Sequence, residues 1–289
     1  MTASAYRAFA FSLLFAASVL FQPASAGSAA KRIVTVGGDI TEIVYRIGEE
    51  SRLVGRDRTS KFPEEAAALP DVGYFRQLGA EGLLSLKPDL ILASAIAGPP
   101  EVLQQVEAAG VPIVRLPETY SGDGLLQKVA AIASALGAKD KGEALATSLR
   151  RELSDAKAAV AAMPGRPKIL FIIDGGGGAP MAAGRDTAAD ALIALAGGEN
   201  VFSAHKGYKA VSLEAAAAAA PDAIAMMAHT LQSMGGPDSV ADHPALRLTP
   251  AARAKRIVAR DGSYLMSFGP RLPQAILDFA HAIRGHEKS

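Results

Sequence analysis

Short apolar runs that alternate with helical patterns, in two separate series along the chain, constrain the fold more than any other feature. The apolar runs lie at 32–36, 52–55, 89–94 and 112–116 in the first series, and at 168–173, 222–227 and 256–260 in the second. Helical patterns separate or follow them at 39–48, 100–110, 187–196 and 271–284. Such alternation is typical of parallel βαβ units. We therefore predict an α/β protein with two lobes, each containing a parallel sheet.

One long helical segment separates the two series. Nothing breaks a helix between Gly142 and Met163, and this stretch is rich in residues of high helix propensity. Asp140 and Glu143 have the spacing of a capping box, and Pro164 follows as a stop signal. At 1.5 Å per residue the helix would be about 33 Å long, enough to cross the molecule. We therefore predict that one bridging α-helix joins the lobes.

The first 26 residues have the pattern of a secretory signal peptide. A basic residue, Arg7, precedes a long apolar run, and a small–x–small motif ends at Ala26. A membrane anchor is the alternative, but Gln22 and Pro23 interrupt the apolar run. We expect cleavage after Ala26 and export to the periplasm. The predicted regions are then a signal peptide at 1–26, an N-terminal lobe at 27–122, a linker with the bridging helix at 123–164, and a C-terminal lobe at 165–289.

The composition excludes some anchors and partners. The chain has no Cys, so we expect neither disulfides nor a lipid-modified N-terminal cysteine. Lys and Arg number 30 against 29 Asp and Glu, and the signal peptide contains one basic residue and no acidic one. The mature chain is therefore neutral, with 29 residues of each sign. We expect neither nucleic acid nor an anionic membrane surface as a partner.

Two segments of the chain share one plan. Glu81 precedes Pro88 by seven residues, and Glu214 precedes Pro221 by seven. In both segments a helical pattern follows the glutamate, and Pro-Asp then leads into a buried strand. The match indicates two similar lobes with equivalent acidic residues, although a helix–Pro-Asp–strand joint is common in α/β proteins.

A cluster of cations lies in the segments where a ligand is expected. In a two-lobed α/β protein the ligand usually binds between the lobes, at the carboxyl ends of the strands. The segments predicted there are 56–62, 71–78, 94–100, 117–124, 174–186, 203–209, 228–236 and 261–270. The cations are Arg52, Arg56, Arg58, Lys61 and Arg76. A solvated surface is the ordinary interpretation of such a run. The functional one is a cationic patch that pairs with carboxylates of a small ligand.

Tyr74 and Arg76 form a candidate metal-binding pair. A tyrosine ligates ferric iron as phenolate, and its pKa near 10 means that this form needs a nearby cation or hydrogen-bond donor. Residues i and i+2 of an extended segment face the same way, so Arg76 is placed to assist. By spacing alone the pair is weak evidence, because Tyr74 could equally be a half-buried core aromatic and Arg76 a surface charge.

No pattern of an enzyme is present. The glycine-rich loop after Asp174 matches neither the dinucleotide fingerprint nor the Walker A motif, and no Gly-x-Ser-x-Gly occurs. The histidines show no zinc-type spacing. His205 and His229 fall in predicted cleft loops, and contact with a ligand stays open for both.

The segments "RIVTVGGDITEIVYRIG", "GYFRQLGAEG" and "SFGPRLPQAI" together resemble the periplasmic haem-binding proteins of bacterial haem ABC importers. The resemblance extends over essentially the whole mature chain. The broader class also serves cobalamin and ferric siderophores, and more distantly zinc or manganese. Binding of cobalamin or a ferric siderophore is therefore the nearer alternative, and a periplasmic enzyme is the more distant one.

The resemblance implies two Rossmann-like lobes joined by a bridging helix, with ferric haem b carried between them as the transported ligand. It implies that Tyr74 is the iron ligand and that Arg76 supports it. Further contacts to the haem and its propionates would come from Arg56, Arg58 and His229. Glu81 and Glu214 would dock, one per lobe, on an inner-membrane ABC permease dimer with its ATPase. An outer-membrane haem receptor would act upstream.

The chain departs from the expected pattern in the second lobe. His229 stands where we expect relatives to have an arginine, and it could donate to a propionate or approach the iron from the open face. Some relatives stack two haems by means of a histidine near the glycine-rich loop, whereas this loop begins with Asp174 and has none. We therefore expect one haem. Arg271 matches a family position at which it would support the fold.

Overall fold

The computed structural model describes residues 30–174 and 179–285. The predicted signal peptide lies outside the described residues, as do the four glycines of the glycine-rich loop.

The first sheet is four-stranded and wholly parallel, in the order β2-β1-β3-β4. Its strands are β1 (Ile33–Val36), β2 (Leu53–Arg56), β3 (Leu90–Ser94) and β4 (Ile113–Leu116). The helices between them are α1 (Gly38–Arg46), α2 (Ala80–Ser85) and α3 (Pro100–Ala108). Strands β1 and β3 are buried along their whole length, as expected for central strands covered on both faces.

Two helices connect the sheets, α4 (Gly122–Ala135) and α5 (Lys139–Ala161). Helix α5 is the predicted bridging helix, and its 23 residues span about 35 Å. The predicted capping box is wrong: the N-cap is Ala138, and Asp140 lies inside the first turn without capping it. Gly142 allows α4 and α5 to approach closely, because a Cβ there would lie 2.3 Å from the Cβ of Ala133.

The second sheet is mixed, in the order β10-β9-β5-β6-β8, with β7 also paired to β5. Its strands are β5 (Lys168–Asp174), β6 (Met181–Ala183), β7 (Glu199–Asn200), β8 (Tyr208–Ala210), β9 (Ala223–Met227) and β10 (Ile257–Arg260). The helices are α6 (Ala188–Leu195), α7 (Leu213–Ala219), α8 (Ala228–Ser233), α9 (Pro237–Asp242), α10 (Pro250–Arg253), α11 (Gly262–Met266) and α12 (Leu272–Ala282). The α/β fold is confirmed, but β6 runs antiparallel to both β5 and β8, so this sheet is not wholly parallel.

A continuous apolar core connects the two sheets. One cluster of buried side chains includes Ile43 of α1, Leu149 of α5, Phe171 of β5 and Phe279 of α12. One face of the bridging helix therefore packs against the core that both lobes share, and its other face is exposed.

The central strands of the two sheets are paired and braced in the same way. Strand β3 pairs with β1 in parallel, as β9 pairs with β5. The carboxylate of Asp89, just before β3, accepts hydrogen bonds from the backbone N–H groups of Lys31 and Arg32 at 2.8 and 2.9 Å. The carboxylate of Asp222, just before β9, accepts one from the N–H of Lys168 at 2.7 Å. The repeated Pro-Asp joint thus ties the same two central strands together in both lobes.

Within the described part of the chain, no helix has both the length and the apolar character needed to cross a bilayer.

Candidate functional site

A cleft of about 520 Å³ lies between the two lobes. Its lining residues follow or end the strands of both sheets, namely Gly37, Arg58, Ser94 and Glu118 in the first lobe and Ile173, Met227 and Asp261 in the second. The cleft therefore lies at the carboxyl ends of the strands, where ligands of α/β proteins bind. Among the described residues, every segment predicted to line the cleft contributes to it except 174–186.

The segment with Tyr74 is held in the cleft by its backbone. The N–H of Val72 donates to the carbonyl of Arg56 at 3.0 Å, and the N–H of Arg58 donates to the carbonyl of Gly73 at 2.8 Å. Gly73 has a φ of 101°, a conformation that favours glycine, and it turns the chain immediately before Tyr74.

The side chains of Tyr74 and Arg76 both line the cleft. The Tyr74 ring contacts Phe75 edge-on, with 4.8 Å between the ring centroids. The Arg76 guanidinium lies 4.9 Å from the centroid of the same Phe75 ring, on its face. No hydrogen bond to the Tyr74 hydroxyl occurs among the described residues, so its oxygen is available to a ligand.

Two further phenols line the cleft, those of Tyr120 and Tyr208. Removal from water raises the pKa of both, and in each case the Arg76 charge partly offsets the increase. The raised pKa disfavours the phenolate form that a metal would need. Neither tyrosine was identified in the sequence as a site residue, although each lies in a segment predicted to line the cleft.

The predicted cations divide into two groups. Arg58, Lys61 and Arg76 line the cleft. Arg56 does not: its side chain is only 12% exposed, forms a salt bridge to Asp71 at 3.3 Å and donates to the carbonyls of Asp57 and Ala67. Arg52 likewise binds Glu49 and the carbonyls of Ala30 and Leu136. Arg52 and Arg56 therefore support the fold around the cleft.

A buried ionic cluster underlies the first-lobe wall of the cleft. Lys128, 1% exposed, binds the carboxylate of Asp39 and lies 3.8 Å from that of Glu118. Burial alone would lower the pKa of Lys128, but Asp39 and Glu118 raise it above its ordinary value. Gly37 is the N-cap of α1, and the Asp39 carboxylate in the first turn binds Lys128. Their separation of 89 positions hides this pair in the sequence.

The second-lobe wall is mostly uncharged. Ile173, Met227 and Met266 line it together with His229. His205 does not line the cleft; its ring lies 6.0 Å from that of Phe202. Arg271 also lies outside the cleft, and donates from Nε to Glu42 at 2.9 Å.

Large exposed apolar side chains are concentrated around the cleft. Four occur among the described residues: Phe62, Ile96, Tyr208 and Leu248. Ile96 and Tyr208 line the cleft itself, and Phe62 lines a second cavity at its end. Apolar groups exposed in a concave site indicate that a ligand covers them.

Glu81 and Glu214 lie outside the cleft, in equivalent places. Each is an exposed residue in the first turn of the helix that precedes a Pro-Asp joint, α2 and α7 respectively. Helices that connect parallel strands start at the carboxyl edge of the sheet, so both glutamates lie near the edge that holds the cleft. Hydrogen bonds from its own backbone N–H and from Ser212 lower the pKa of Glu214.

Among the described residues, no group of three or more His, Asp or Glu side chains has a geometry that could hold a metal ion.

Solved structures of known proteins share this architecture. The periplasmic heme-binding protein BhuT in complex with two hemes is 39% identical, with a TM-score of 0.85 over 89% of this chain and 98% of that one. The apo form of the periplasmic heme-binding protein RhuT from Roseiflexus sp. RS-1 is also 39% identical, with a TM-score of 0.85 over 89% and 99%.

Curated relatives are more distant in sequence. An uncharacterized ABC transporter substrate-binding lipoprotein of Bacillus subtilis, YvrC, is 24% identical over 260 residues, 88% of this chain and 80% of its own. The vitamin B12-binding protein of Vibrio campbellii is 33% identical over 119 residues, 41% of this chain and 42% of its own. The second match thus spans less than half of either protein.

The sequence profile of one family matches most of the described chain, residues 33–264. The family and the relatives are substrate-binding proteins, which confirms the prediction that the chain is not an enzyme. The chain belongs to the Periplasmic binding protein family and is a substrate-binding protein of the ABC-transporter class.

Proposed function

We propose that this protein binds one ferric haem b between its lobes and delivers it to an inner-membrane ABC permease and its ATPase. The observation that carries the proposal is that Tyr74 and Arg76 both line the interlobe cleft, and that the Tyr74 hydroxyl has no hydrogen bond among the described residues. Similarity to heme-binding proteins over 89% of the chain supports it. An outer-membrane haem receptor would supply the haem upstream.

Tyr74 is the proposed iron ligand. A phenolate is a hard anionic donor that favours Fe(III) and is a known axial ligand of haem. Arg76, two residues further along the same segment, is the proposed supporting cation. Tyr120 and Tyr208 are weaker candidates, because removal from water raises their pKa.

The walls of the cleft suit a flat apolar ring with charged substituents. Ile96, Met227 and Met266 offer apolar surface to the faces of a porphyrin. Arg58, Arg76 and His229 are the proposed polar contacts to the haem. We no longer assign such a contact to Arg56, because its guanidinium is occupied by Asp71 and by backbone carbonyls.

Glu81 and Glu214 are the proposed docking residues. They are exposed at equivalent positions on the two lobes. A permease dimer with two-fold symmetry would present the same cationic site twice, which requires one matching acid per lobe.

The proposed organisation has an N-terminal lobe at 27–122 and a C-terminal lobe at 165–289, joined by the linker at 123–164. We further propose that the chain is exported, that the signal peptide is cleaved after Ala26 and that no lipid is attached, because the sequence contains no Cys. Mass spectrometry of the protein purified from the periplasm tests this: a mass that starts at Gly27 is expected, and an intact N-terminus or an added lipid would contradict it.

Cobalamin is the alternative ligand, because curated relatives are named vitamin B12-binding proteins. Titration of the ligand-free protein with haemin, cyanocobalamin and a ferric siderophore separates these functions. We expect a saturable shift of the Soret band at one haemin per protein and no saturable binding of the other two. Tight binding of cyanocobalamin with no change in the haemin spectrum would overturn the proposed function.

A further inference from the structure

A second cavity, of about 380 Å³, opens beside the ligand cleft at the junction of the two lobes. We call it the junction cavity. Its wall shares residues with the cleft, among them Lys61 of the first lobe and Ser263 of the second. The residues that belong to the junction cavity alone are Phe62, Arg260, Tyr264 and Arg271. The two cavities are therefore adjacent and share part of one wall.

Arg271 is oriented in the junction cavity by three neighbours. Its guanidinium lies 3.8 Å from the centroid of the Phe62 ring and 5.2 Å from that of Tyr264. Its Nε donates to the buried carboxylate of Glu42 at 2.9 Å. No other hydrogen bond of this guanidinium occurs among the described residues. The two Nη groups thus remain as a planar pair of donors, the geometry that binds a carboxylate through two parallel hydrogen bonds.

Lys61 and Ser263 add donors from opposite sides of the junction. No ion pair of the exposed Lys61 ammonium and no hydrogen bond of the Ser263 hydroxyl occurs among the described residues. The Asp261 carboxylate in the same wall accepts a hydrogen bond from the backbone N–H of Tyr264 at 2.8 Å, so it caps α11. Lys61 and Arg271 thus supply two cations to a wall that also contains the Asp261 carboxylate.

Arg58, a cation of the cleft, is less shielded from water than Arg271. The Arg58 side chain is 66% exposed and already lies 3.5 Å from the Asp71 carboxylate. The Arg271 side chain is 26% exposed and fixed by aromatic rings, so a carboxylate there is better shielded from water. Charge-assisted hydrogen bonds are stronger in such a site than on an open surface.

We propose that the junction cavity is the carboxylate subsite of the cleft, where the two acidic substituents on one edge of a tetrapyrrole bind Arg271 and Lys61. The inference rests on the proposed function and adds to it the orientation of the ligand. Because Lys61 and Arg271 come from different lobes, a bound dicarboxylate connects the lobes and favours their closed arrangement.

A comparison of haemin with its dimethyl ester tests the subsite, because the ester keeps the iron and the ring but lacks both negative charges. Both ligands are titrated in one buffer against the wild type, Lys61→Gln, Arg271→Gln and a control, Lys209→Gln. Lys209 is exposed and lies outside both cavities. We expect the wild type to prefer haemin. Lys61→Gln and Arg271→Gln should each weaken haemin binding about tenfold, with little effect on the ester, whereas the control keeps the full preference.

Two results would overturn the subsite. One is an unchanged preference for haemin in both variants; the other is an equal loss of affinity for haemin and its ester. Lys61→Gln keeps the test decisive if Arg271→Gln fails to fold, because the Lys61 side chain supports no other described residue. Failure of the wild type to bind either ligand would instead overturn the proposed function, so the two failures are distinguishable.

Discussion

The two lobes share a scaffold but differ in the surface that each turns toward the cleft. Their central strands pair in the same way, and Asp89 and Asp222 brace them through equivalent hydrogen bonds. Toward the cleft, the first lobe presents phenols and cations over a buried Lys128–Asp39 pair. The second lobe presents mainly apolar and hydroxyl side chains there.

The shared scaffold and the different cleft surfaces match two separate requirements, docking on a permease and binding of a ligand. A permease with two-fold symmetry favours equivalent acids on both lobes, and the repeated scaffold supplies them. The iron of a porphyrin needs a protein side chain on only one face of the ring. A carrier that must release the porphyrin needs the opposite face to be held weakly. We infer that the first lobe holds the iron and that the second covers the opposite face of the ring.

The largest effect is expected from the equivalent acids. Reversal of charge in Glu81→Arg with Glu214→Arg should abolish haem transport, because like charges would then face the permease. Haemin affinity should stay at the wild-type value, since neither residue lines the cleft. Transport into proteoliposomes and a haemin titration measure the two quantities. Asp155→Arg, on the exposed face of the bridging helix, is the matched control and should transport normally. Undiminished transport by the double variant would remove the docking role.

Two lysine–aspartate pairs, one in each lobe, allow a comparison of stability. Lys128→Met leaves the buried Asp39 carboxylate without its partner and should lower the free energy of unfolding by about 3–5 kcal/mol. Lys255→Met breaks an exposed pair with Asp238 in the second lobe and should leave the unfolding midpoint unchanged. Urea denaturation measures both. Equal losses of unfolding free energy in the two variants would show that the buried Lys128–Asp39 pair stabilises the protein no more than the exposed Lys255–Asp238 pair does.

The bracing aspartates should contribute unequally. Asp89→Ala removes two hydrogen bonds to backbone N–H groups and should cost about 1–2 kcal/mol. Asp222→Ala removes one and should cost about 1 kcal/mol. A larger cost for Asp222→Ala, measured by the same denaturation, would contradict the ranking by number of hydrogen bonds.

The smallest effect concerns the ion pair between the lobes, Glu42 with Arg271. Burial raises the pKa of Glu42 above its ordinary value near 4.5, and Arg271 only partly offsets this; Arg46 also lowers the pKa and Asp39 raises it. The folded state therefore binds this proton more tightly than the unfolded state. Stability from Glu42 is fully present below about pH 4.5 and is lost as the pH rises through the folded-state pKa.

Glu42→Gln isolates this contribution, because glutamine can still accept the hydrogen bond from Arg271 and does not titrate. The difference in unfolding free energy, wild type minus variant, should fall as the pH rises from 4.5 toward neutrality. A difference that increases with pH would mean that the pKa of Glu42 is lowered in the folded protein.

Much of the fold could be predicted because its signals are local. The buried strands are uninterrupted apolar runs, and β1 starts within one residue of the prediction. The bridging helix has no breaker within it, so α5 covers the predicted segment, although its N-cap, Ala138, lies two residues before Asp140. The antiparallel strands β6 and β8 were missed. Each has only three residues, and β8 is wholly exposed, so no apolar alternation marks them.

The site was predicted in part, for a similar reason. Arg58, Tyr74 and Arg76 lie in loops after β2, and His229 lies in the first turn of α8, directly after β9. The topology brings segments that follow parallel strands together. Arg56 was predicted to contact the ligand because it lies close in the sequence to Arg58. It is instead the last residue of β2, and its guanidinium binds Asp71. The Asp39–Lys128 pair joins α1 to α4, and such a contact across the sequence leaves no local pattern.

A haemin titration of Tyr74→Phe tests the central claim most directly, because this change removes the phenol oxygen and keeps the ring. Tyr45→Phe, in a half-buried residue of α1 outside the cleft, is the matched control. We predict that Tyr74→Phe loses the tyrosinate-type spectrum and binds haemin about a hundredfold more weakly, a loss of ~3 kcal/mol, while the control keeps both. An unchanged spectrum in Tyr74→Phe, or loss of that spectrum in Tyr120→Phe or Tyr208→Phe instead, would contradict the account.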